Sequence, residues 1–384
     1  MPEVRRGEAQ QILAGGQFAR PGRGRPPAGD VLRLLLLFVL LVVAATGPAS
    51  AQGVEDIEQA WRGWMSKTQR TRGGLVVMRV GQPVHEATMG RLAPGAPVPY
   101  ASLSKAVTGV CIATLIERGT LSFDTPVSQA LARTMTRTGR PADPRLLPVT
   151  VSELLVHRGG FGPSIGRDGD MANWLRRNSG GRTAFDEQLR WLFARRLQYA
   201  PGERFEYSNA NYLVLGAIIE EAAGQPYERY CRDAVLTPLG ARDAVLDPAW
   251  RILSSYGGWR MPLAEYGRFY QAFAPDNPAI GPRARQWMMS PDGKQVGGGT
   301  HYGLGTFVRP TPRGGGNFWH AGRWVYDLRN AHDGPLNVSY STFAVRLGAL
   351  DVNIVSYAEP GREQGDGGLD GALGNAARGV KRWP

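Results

Sequence analysis

Short apolar segments typical of β-strands lie near both ends of this chain, and helical patterns fill its middle. Residues 74–80 and 83–88 flank the dipeptide Gly81-Gln82, which predicts a two-stranded hairpin. After residue 297, glycine-spaced runs such as FWHAGRWVYD and DVNIVSYA alternate as antiparallel strands do. One sheet built from both chain ends requires the helical middle to be inserted between them. The sequence therefore predicts an α/β (α+β) fold, an antiparallel sheet flanked by helices with an inserted, mainly helical lobe.

Helical spacing of apolar residues defines the middle of the chain. The clearest patterns cover residues 54–69, 104–118, 151–156, 187–195 and 212–223. Thr150 is placed to cap the third of these helices, and Gly119 is placed to end the second. We expect residues 52–384 to form one domain, with a sheet lobe from about 52–100 and 297–384 and a helical lobe from about 101–296.

The first 51 residues predict an N-terminal extension followed by a signal peptide. Residues 32–45 read LRLLLLFVLLVVAA, and the following Ala49-Ser50-Ala51 matches a small-residue cleavage site. The apolar stretch is shorter than the ~20 residues of a spanning helix, so cleavage is favoured over a permanent anchor. We expect an exported protein, periplasmic or secreted, with no stable membrane span after cleavage. The long basic stretch before the signal raises the hypothesis that translation starts at Val31.

The charge pattern argues against a nucleic-acid partner. The formal net charge is +12, but the arginines that supply most of it are scattered rather than clustered in a run. A wall or membrane polyanion stays open as a weak partner. The five histidines are isolated, and no H-x-x-x-H or C-x-x-C pair occurs. The sequence therefore predicts no metal site and no cofactor.

Cys111 and Cys231 are the only cysteines of the chain. Two cysteines cannot form a disulfide framework, although one bridge is compatible with an oxidising compartment. Both lie inside apolar helical patterns, where free cysteine is commonly buried. The sequence favours two buried thiols over a bridge.

The first candidate motif is Ser102-Leu103-Ser104-Lys105, at the start of a predicted helix. Residues three apart lie on one helix face, so the Lys105 amine can reach the Ser102 hydroxyl. A serine hydroxyl needs a neighbouring base at neutral pH, and lysine can serve once burial or nearby positive charge lowers its pKa. The helix N-terminus adds N–H donors where an oxyanion would form. Taken alone, this common tetrapeptide is better explained as a serine cap beside a surface lysine.

The second candidate motif is Tyr207-Ser208-Asn209. A tyrosine hydroxyl can carry a proton between nucleophile and leaving group, and a nearby cation lowers its pKa. Asn209 can donate to a substrate carbonyl. The alternative is a plain turn before a helix, because Ser and Asn favour such positions.

The third candidate motif is Trp319-His320-Ala321-Gly322, inside an apparent strand. A cation or proton donor at His320 can recognise polar groups of a substrate, and the N–H of Arg323 can serve as a second oxyanion donor. Without the other two motifs, this histidine is better explained as a structural residue of a strand.

The order S-x-x-K, Y-x-N, H-x-G resembles class C β-lactamases, D-alanyl-D-alanine peptidases and family VIII esterases. Connecting segments such as LSFDTPV and TVSELLVHRGGFG are similar too, over roughly residues 57–357. The resemblance implies a β-lactamase/transpeptidase-like fold and an acyl-enzyme at Ser102. The catalytic residues that it implies are Ser102, Lys105 and Tyr207. The substrate-binding residues that it implies are Asn209, His320, Gly322 and Arg323.

The chain departs from this family pattern at two places. Arg323-Trp324 stands where relatives carry small residues, so bulk there would narrow the cleft or reorient the strand. His320 stands where class C β-lactamases carry lysine, which weakens the case for a penicillinase because a permanent cation is missing.

The resemblance implies a small-molecule or peptide substrate, either an ester or a D-amino-acid amide, with weak β-lactamase activity left open. The alternative is a catalytically silent relative that binds cell-wall peptide or a protein partner. All three motifs are intact, which favours the enzyme.

Overall fold

The computed structural model describes residues 53–166, 185–247, 251–312, 315–325, 339–361 and 367–384. The predicted signal peptide and the hypothetical start at Val31 lie outside these residues. Within the described ranges, no helix combines the length and the apolar character needed to cross a membrane.

The core of the fold is an eight-stranded antiparallel sheet with the order β2-β1-β11-β10-β9-β8-β7-β6. A second, three-stranded sheet has the order β3-β5-β4 and pairs a strand that precedes Ser102 with two short strands from the otherwise helical middle of the chain. The strands are β1 (Arg72–Arg79), β2 (Gln82–Met89), β3 (Val98–Pro99), β4 (Val245–Leu246), β5 (Trp259–Met261), β6 (Gln295–Gly297), β7 (Thr300–Gly303), β8 (Thr306–Pro310), β9 (Gly316–Trp324), β10 (Tyr340–Leu347) and β11 (Val352–Glu359).

Strand β1 pairs with β2 on one side and with β11 on the other. The predicted hairpin is therefore confirmed, and so is the prediction of an antiparallel sheet that joins both ends of the chain. In the same sheet, β7 and β8 form a further antiparallel hairpin. Leu304 and Gly305 separate them with φ angles of 50° and 80°, which a tight two-residue hairpin turn requires.

The helices are α1 (Glu55–Lys67), α2 (Ser104–Glu117), α3 (Val127–Ala130), α4 (Ala132–Thr138), α5 (Val151–Leu155), α6 (Pro163–Gly166), α7 (Phe185–Phe193), α8 (Asn209–Ala223), α9 (Tyr227–Cys231), α10 (Ser254–Gly257), α11 (Leu263–Tyr270), α12 (Pro282–Met289) and α13 (Leu369–Gly379). The predicted cap on α5 is present as a reciprocal pair, because Thr150 accepts from the Glu153 N–H and Glu153 accepts from the Thr150 N–H. Helix α8 begins three residues before the predicted 212, so it includes Asn209.

Both faces of the central strands are buried, which explains their nearly continuous apolar sequences. Leu75 and Val77 of β1 face a cluster that includes residues of α1 and α13. Val76 and Met78 of the same strand face the larger cluster formed with the helical middle of the chain. Successive strand side chains point to opposite faces, so one strand serves both clusters.

Helix α2 runs through the centre of the larger cluster and is buried on nearly every side. The β7–β8 turn packs directly on its backbone. A Cβ added at Gly109 would lie 2.2 Å from the carbonyl of Leu304, and one added at Gly305 would lie 2.0 Å from the carbonyl of Lys105. Glycine at both positions lets the sheet approach the helix that follows Ser102.

We expect Gly109→Ala to lower the free energy of unfolding by about 1–3 kcal/mol, because the added methyl group overpacks this contact. Gly63→Ala is the matched control: it is also a helical glycine, but its added Cβ would meet nothing within 4 Å. Alanine there should raise stability by up to about 1 kcal/mol through helix propensity. Urea denaturation of both variants measures the difference. Equal stability of the two variants would contradict the close contact between α2 and the β7–β8 turn.

Cys111 of α2 and Cys231 of α9 form a disulfide, with their Cα atoms 5.6 Å apart. The expectation of two free thiols was therefore wrong, although both residues are buried as predicted. The sequence placed each cysteine on a buried helix face, but the pairing depends on how α2 packs against α9, 120 residues away.

Replacing both cysteines by alanine should lower the free energy of unfolding by about 2–5 kcal/mol, because the bridge closes a long loop in the unfolded chain. Denaturant titrations with and without reductant measure the effect. Reduced wild type and the double variant should unfold at nearly the same denaturant concentration. Two alkylatable thiols in every unreduced, denatured molecule would show that the bridge is not formed.

Candidate active site

Ser102 lies in a short 3-10 turn, Ala101–Leu103, that leads directly into α2. Ala101 has a φ angle of 47°, a left-handed conformation that an L-residue adopts at a cost. The carbonyl of the preceding Tyr100 accepts a hydrogen bond of 2.9 Å from the Thr342 hydroxyl of β10. The turn is thus held against the sheet, and the Ser102 side chain is partly exposed.

Lys105 is fully buried in the first turn of α2. Its Nζ lies 3.3 Å from Ser102 Oγ, 2.7 Å from Asn209 Oδ1 and 3.0 Å from the backbone oxygen of Tyr256. These three groups are uncharged. Burial lowers the pKa of Lys105 well below its ordinary value of 10.5, because the charged amine loses its hydration.

Tyr207 and Asn209 also lie beside Lys105. Lys105 Nζ lies 5.0 Å from the centre of the Tyr207 ring. Asn209 is the first residue of α8, and its Oδ1 accepts from Lys105. The predicted second motif is therefore adjacent to the first, although 104 residues separate Lys105 from Asn209.

His320 lies on β9, with its ring 5.9 Å from the Tyr207 ring. Its Nδ1 is 2.7 Å from the Ala321 carbonyl, and its Nε2 is 3.0 Å from the Tyr302 hydroxyl. A carbonyl only accepts, so Nδ1 carries the hydrogen and Nε2 accepts from Tyr302. Burial, aided by the nearby Lys105 charge, lowers the pKa of His320 to about 3. The residue is therefore neutral at physiological pH.

Gly322 allows β9 to pass beside the Ser102 turn. An added Cβ would lie 2.3 Å from Thr342 Oγ1 and 2.5 Å from the Tyr100 carbonyl. Strand β9 pairs with β8 as far as Trp319 and with β10 as far as Trp324, so its last five residues extend beyond β8. The Arg323 side chain, within this extension, is exposed.

The structure thus brings the Ser102, Lys105, Tyr207, Asn209 and His320 side chains into one cluster, and packs Gly322 against the residues before Ser102. Sequence reasoning missed two contributors. Tyr256 supplies a backbone carbonyl to Lys105, a role that no side-chain motif reports. Tyr302 binds His320, and its position in a glycine-spaced strand gave no sign of that contact.

Within the described ranges, no three or more His, Cys, Asp and Glu side chains lie close enough together to hold a metal ion. Among the residues of the three candidate motifs, His320 is the one common metal ligand. Both of its ring nitrogens contact protein atoms. A serine beside a buried amine, on a sheet with flanking helices, defines an enzyme of the serine hydrolase class.

Comparison with known proteins agrees with this class. Residues 55–333 match the family model described as "Beta-lactamase". Esterase EstB of Burkholderia gladioli is 33% identical over 178 residues, which cover 45% of this chain and 42% of EstB. The chain therefore matches less than half the length of this relative. Because the family model covers most of the chain, the chain belongs to the β-lactamase family.

Two solved structures show the same fold at low identity. A D-stereospecific amidohydrolase from Streptomyces sp. aligns with a TM-score of 0.65 at 16% identity, covering 82% of this chain and 97% of that one. A β-lactamase/D-alanine carboxypeptidase from Yersinia pestis aligns with a TM-score of 0.64 at 17% identity, covering 87% and 100%. The predicted β-lactamase/transpeptidase-like fold is confirmed.

Proposed function

We propose that this protein is an exported serine hydrolase that forms an acyl-enzyme at Ser102 and hydrolyses an ester or a D-amino-acid amide. The observation that carries the proposal is the environment of Lys105: a fully buried amine with Ser102 Oγ 3.3 Å away. The remaining steps follow from which atoms can give and accept protons around that amine.

A neutral amine has two hydrogens and one lone pair. Two of the three neighbours of Lys105 Nζ, Asn209 Oδ1 and the Tyr256 carbonyl, can only accept. They take the two hydrogens, which leaves the lone pair for the Ser102 hydroxyl. In this arrangement Ser102 Oγ attacks the substrate carbonyl carbon while its proton passes to Lys105 Nζ.

The leaving group then needs a proton, and Tyr207 is the candidate donor. Its ring lies beside Lys105, so the phenol can pass a proton between the lysine and the departing oxygen or nitrogen. Water then attacks the acyl-enzyme carbonyl, a base takes the proton of that water, and Ser102 Oγ recovers its hydrogen. The oxyanion formed at both stages would be stabilised by the N–H groups of Ser102 and Arg323.

Substrate binding is proposed for Asn209, His320, Gly322 and Arg323. Asn209 Oδ1 is engaged by Lys105, so its Nδ2 is the group offered to a substrate carbonyl. Neutral His320 supplies no fixed positive charge for the carboxylate of a penicillin. An ester or a D-amino-acid amide is therefore favoured over a β-lactam, and the names of the esterase and amidohydrolase relatives support both classes.

Export to the periplasm or outside the cell is supported by the signal-like N-terminal sequence and by the Cys111–Cys231 disulfide. Structural disulfides persist in oxidising compartments and are rare in the cytosol.

Ser102→Ala should abolish covalent labelling by a fluorophosphonate probe and by a fluorescent penicillin. It should also lower hydrolysis of a short-chain nitrophenyl ester by about 10³-fold or more, because the attacking oxygen is lost. Ser128→Ala is the matched control, since Ser128 is an exposed serine of α3 outside the cluster. Labelling that persists in Ser102→Ala would refute the nucleophile. Correctly folded wild type that no probe labels would favour a silent, peptide-binding relative.

The kcat/KM for the ester should fall as pH decreases through the lowered pKa of Lys105, since only the neutral amine accepts the proton. The acid limb of the profile should lie well below pH 10.5. His320, with a pKa of about 3, should add no limb at physiological pH. Lys105→Met should lower kcat/KM by about 10²–10⁴-fold. An unchanged acid limb in the residual activity of Lys105→Met would assign the limb to another group.

A further inference from the structure

His157 is fully buried beneath Tyr207, outside the three motifs. It follows α5 and adopts a φ angle of 56°, a left-handed conformation that a residue other than glycine adopts at a cost. Such strain persists only where surrounding contacts hold the residue in place. The contacts of His157 point to the loop that carries Tyr207.

Backbone carbonyls of the 157–160 turn accept hydrogen bonds along residues 198–206, the loop that leads to Tyr207. The Gly160 carbonyl accepts from the N–H groups of Gln198 and Tyr199, and the Arg158 carbonyl accepts from that of Gly202. The His157 carbonyl then accepts from Glu206 N–H at 2.9 Å. His157 is therefore the last attachment point before Tyr207.

The His157 side chain continues the attachment past Tyr207. Its Nδ1 lies 3.2 Å from the backbone nitrogen of Ser208 and 3.3 Å from Nδ2 of Asn211. A backbone N–H only donates, so Nδ1 is the acceptor and is not protonated. One residue thus binds the backbone on both sides of Tyr207, at Glu206 through its carbonyl and at Ser208 through its ring.

The same ring packs on the side chain of Tyr207. The two ring centres are 4.4 Å apart, with an angle of 40° between the planes. The His157 ring also lies 4.8 Å from Tyr302, whose hydroxyl binds His320. His157 therefore contacts both the proposed proton carrier and the tyrosine that holds the β9 histidine.

We propose that His157 is a positioning residue for the reaction: its backbone carbonyl and Nδ1 fix the chain around Tyr207 while its ring fixes the phenol beside Lys105. This inference rests on the proposed function of Tyr207. The effect should appear mainly in kcat, because an angular displacement of the phenol impairs proton transfer more than it impairs substrate binding.

Two substitutions separate the backbone strain from the hydrogen bond. Glycine and asparagine both tolerate the left-handed φ angle, but only asparagine keeps an acceptor near the position of Nδ1. His157→Gly should lower kcat by about 10–100-fold with KM within about threefold of wild type. His157→Asn should recover a clear part of that loss. Equal kcat in both variants would contradict the role of the acceptor.

A double-mutant cycle with Tyr207→Phe tests whether His157 acts through the tyrosine. We expect Tyr207→Phe to lower kcat by about 10²–10⁴-fold, and adding His157→Gly to that variant should lower kcat little further. If the two substitutions instead lower kcat by independent factors that multiply in the double variant, His157 supports the fold in general and does not act through Tyr207. The matched control is His301→Asn, which changes another fully buried histidine, one bonded to the Met288 carbonyl. It should lower the melting temperature and leave kcat within about threefold of wild type.

Amide hydrogen exchange tests the arrangement without any substrate. The Glu206 and Ser208 amides should be protected in wild type, and Ser208 should stay protected in His157→Asn and lose protection in His157→Gly. Wild type that hydrolyses no ester and takes no label would overturn the proposed function and, with it, the catalytic effect of His157. If wild type is active but the Ser208 amide is as protected in His157→Gly as in wild type, the positioning role alone is overturned.

Discussion

The burial of one amine determines how the rest of this site is arranged. Removing a charged amine from water costs several kcal/mol unless an opposite charge lies beside it, and the three groups within hydrogen-bond distance of Lys105 are uncharged. The rings of Tyr207, Tyr212 and Tyr256, with centres 5.0, 5.9 and 5.9 Å from Lys105 Nζ, favour the charged form, but the loss of hydration outweighs them and the pKa of Lys105 is lowered. The neutral amine is therefore the form that this environment favours, and a neutral amine beside a hydroxyl is a base.

Close backbone contacts hold that environment together. The β7–β8 turn rests on α2 at Gly109, and β9 passes the Ser102 turn at Gly322. Each contact leaves no room for a Cβ, so α2 lies directly against the β7–β8 turn, and the residues before Ser102 lie directly against β9. Tyr256 is fixed in a similar way, since the Ser255 carbonyl accepts from Thr108 and the Ser255 hydroxyl donates to the Tyr212 carbonyl. Lys105 is fully buried among these elements, and that burial lowers the pKa of its amine.

The sequence predicted the parts of the site that depend on local geometry. Ser102 and Lys105 lie one helical turn apart, so their contact follows from helix geometry alone. The meeting of this pair with Tyr207, Asn209 and His320 was predicted only through the family resemblance, because no local rule relates residues so far apart in the chain. The Tyr256 carbonyl could not be predicted, since any residue has one. The Cys111–Cys231 bridge was missed because burial of both residues is equally consistent with two free thiols.

Burial of His320 and Lys105 also makes the free energy of unfolding depend on pH. The pKa of His320 is about 3 in the folded protein and near 6.5 without burial, so between these values the unfolded chain binds more protons than the native state. Stability from this residue is therefore complete above pH 6.5 and declines as the pH falls toward 3. The lowered pKa of Lys105 acts in the same direction from pH 10.5 downward, until its folded-state pKa is reached. The burial that makes Lys105 a base thus lowers the stability of the native state as the pH falls below 10.5.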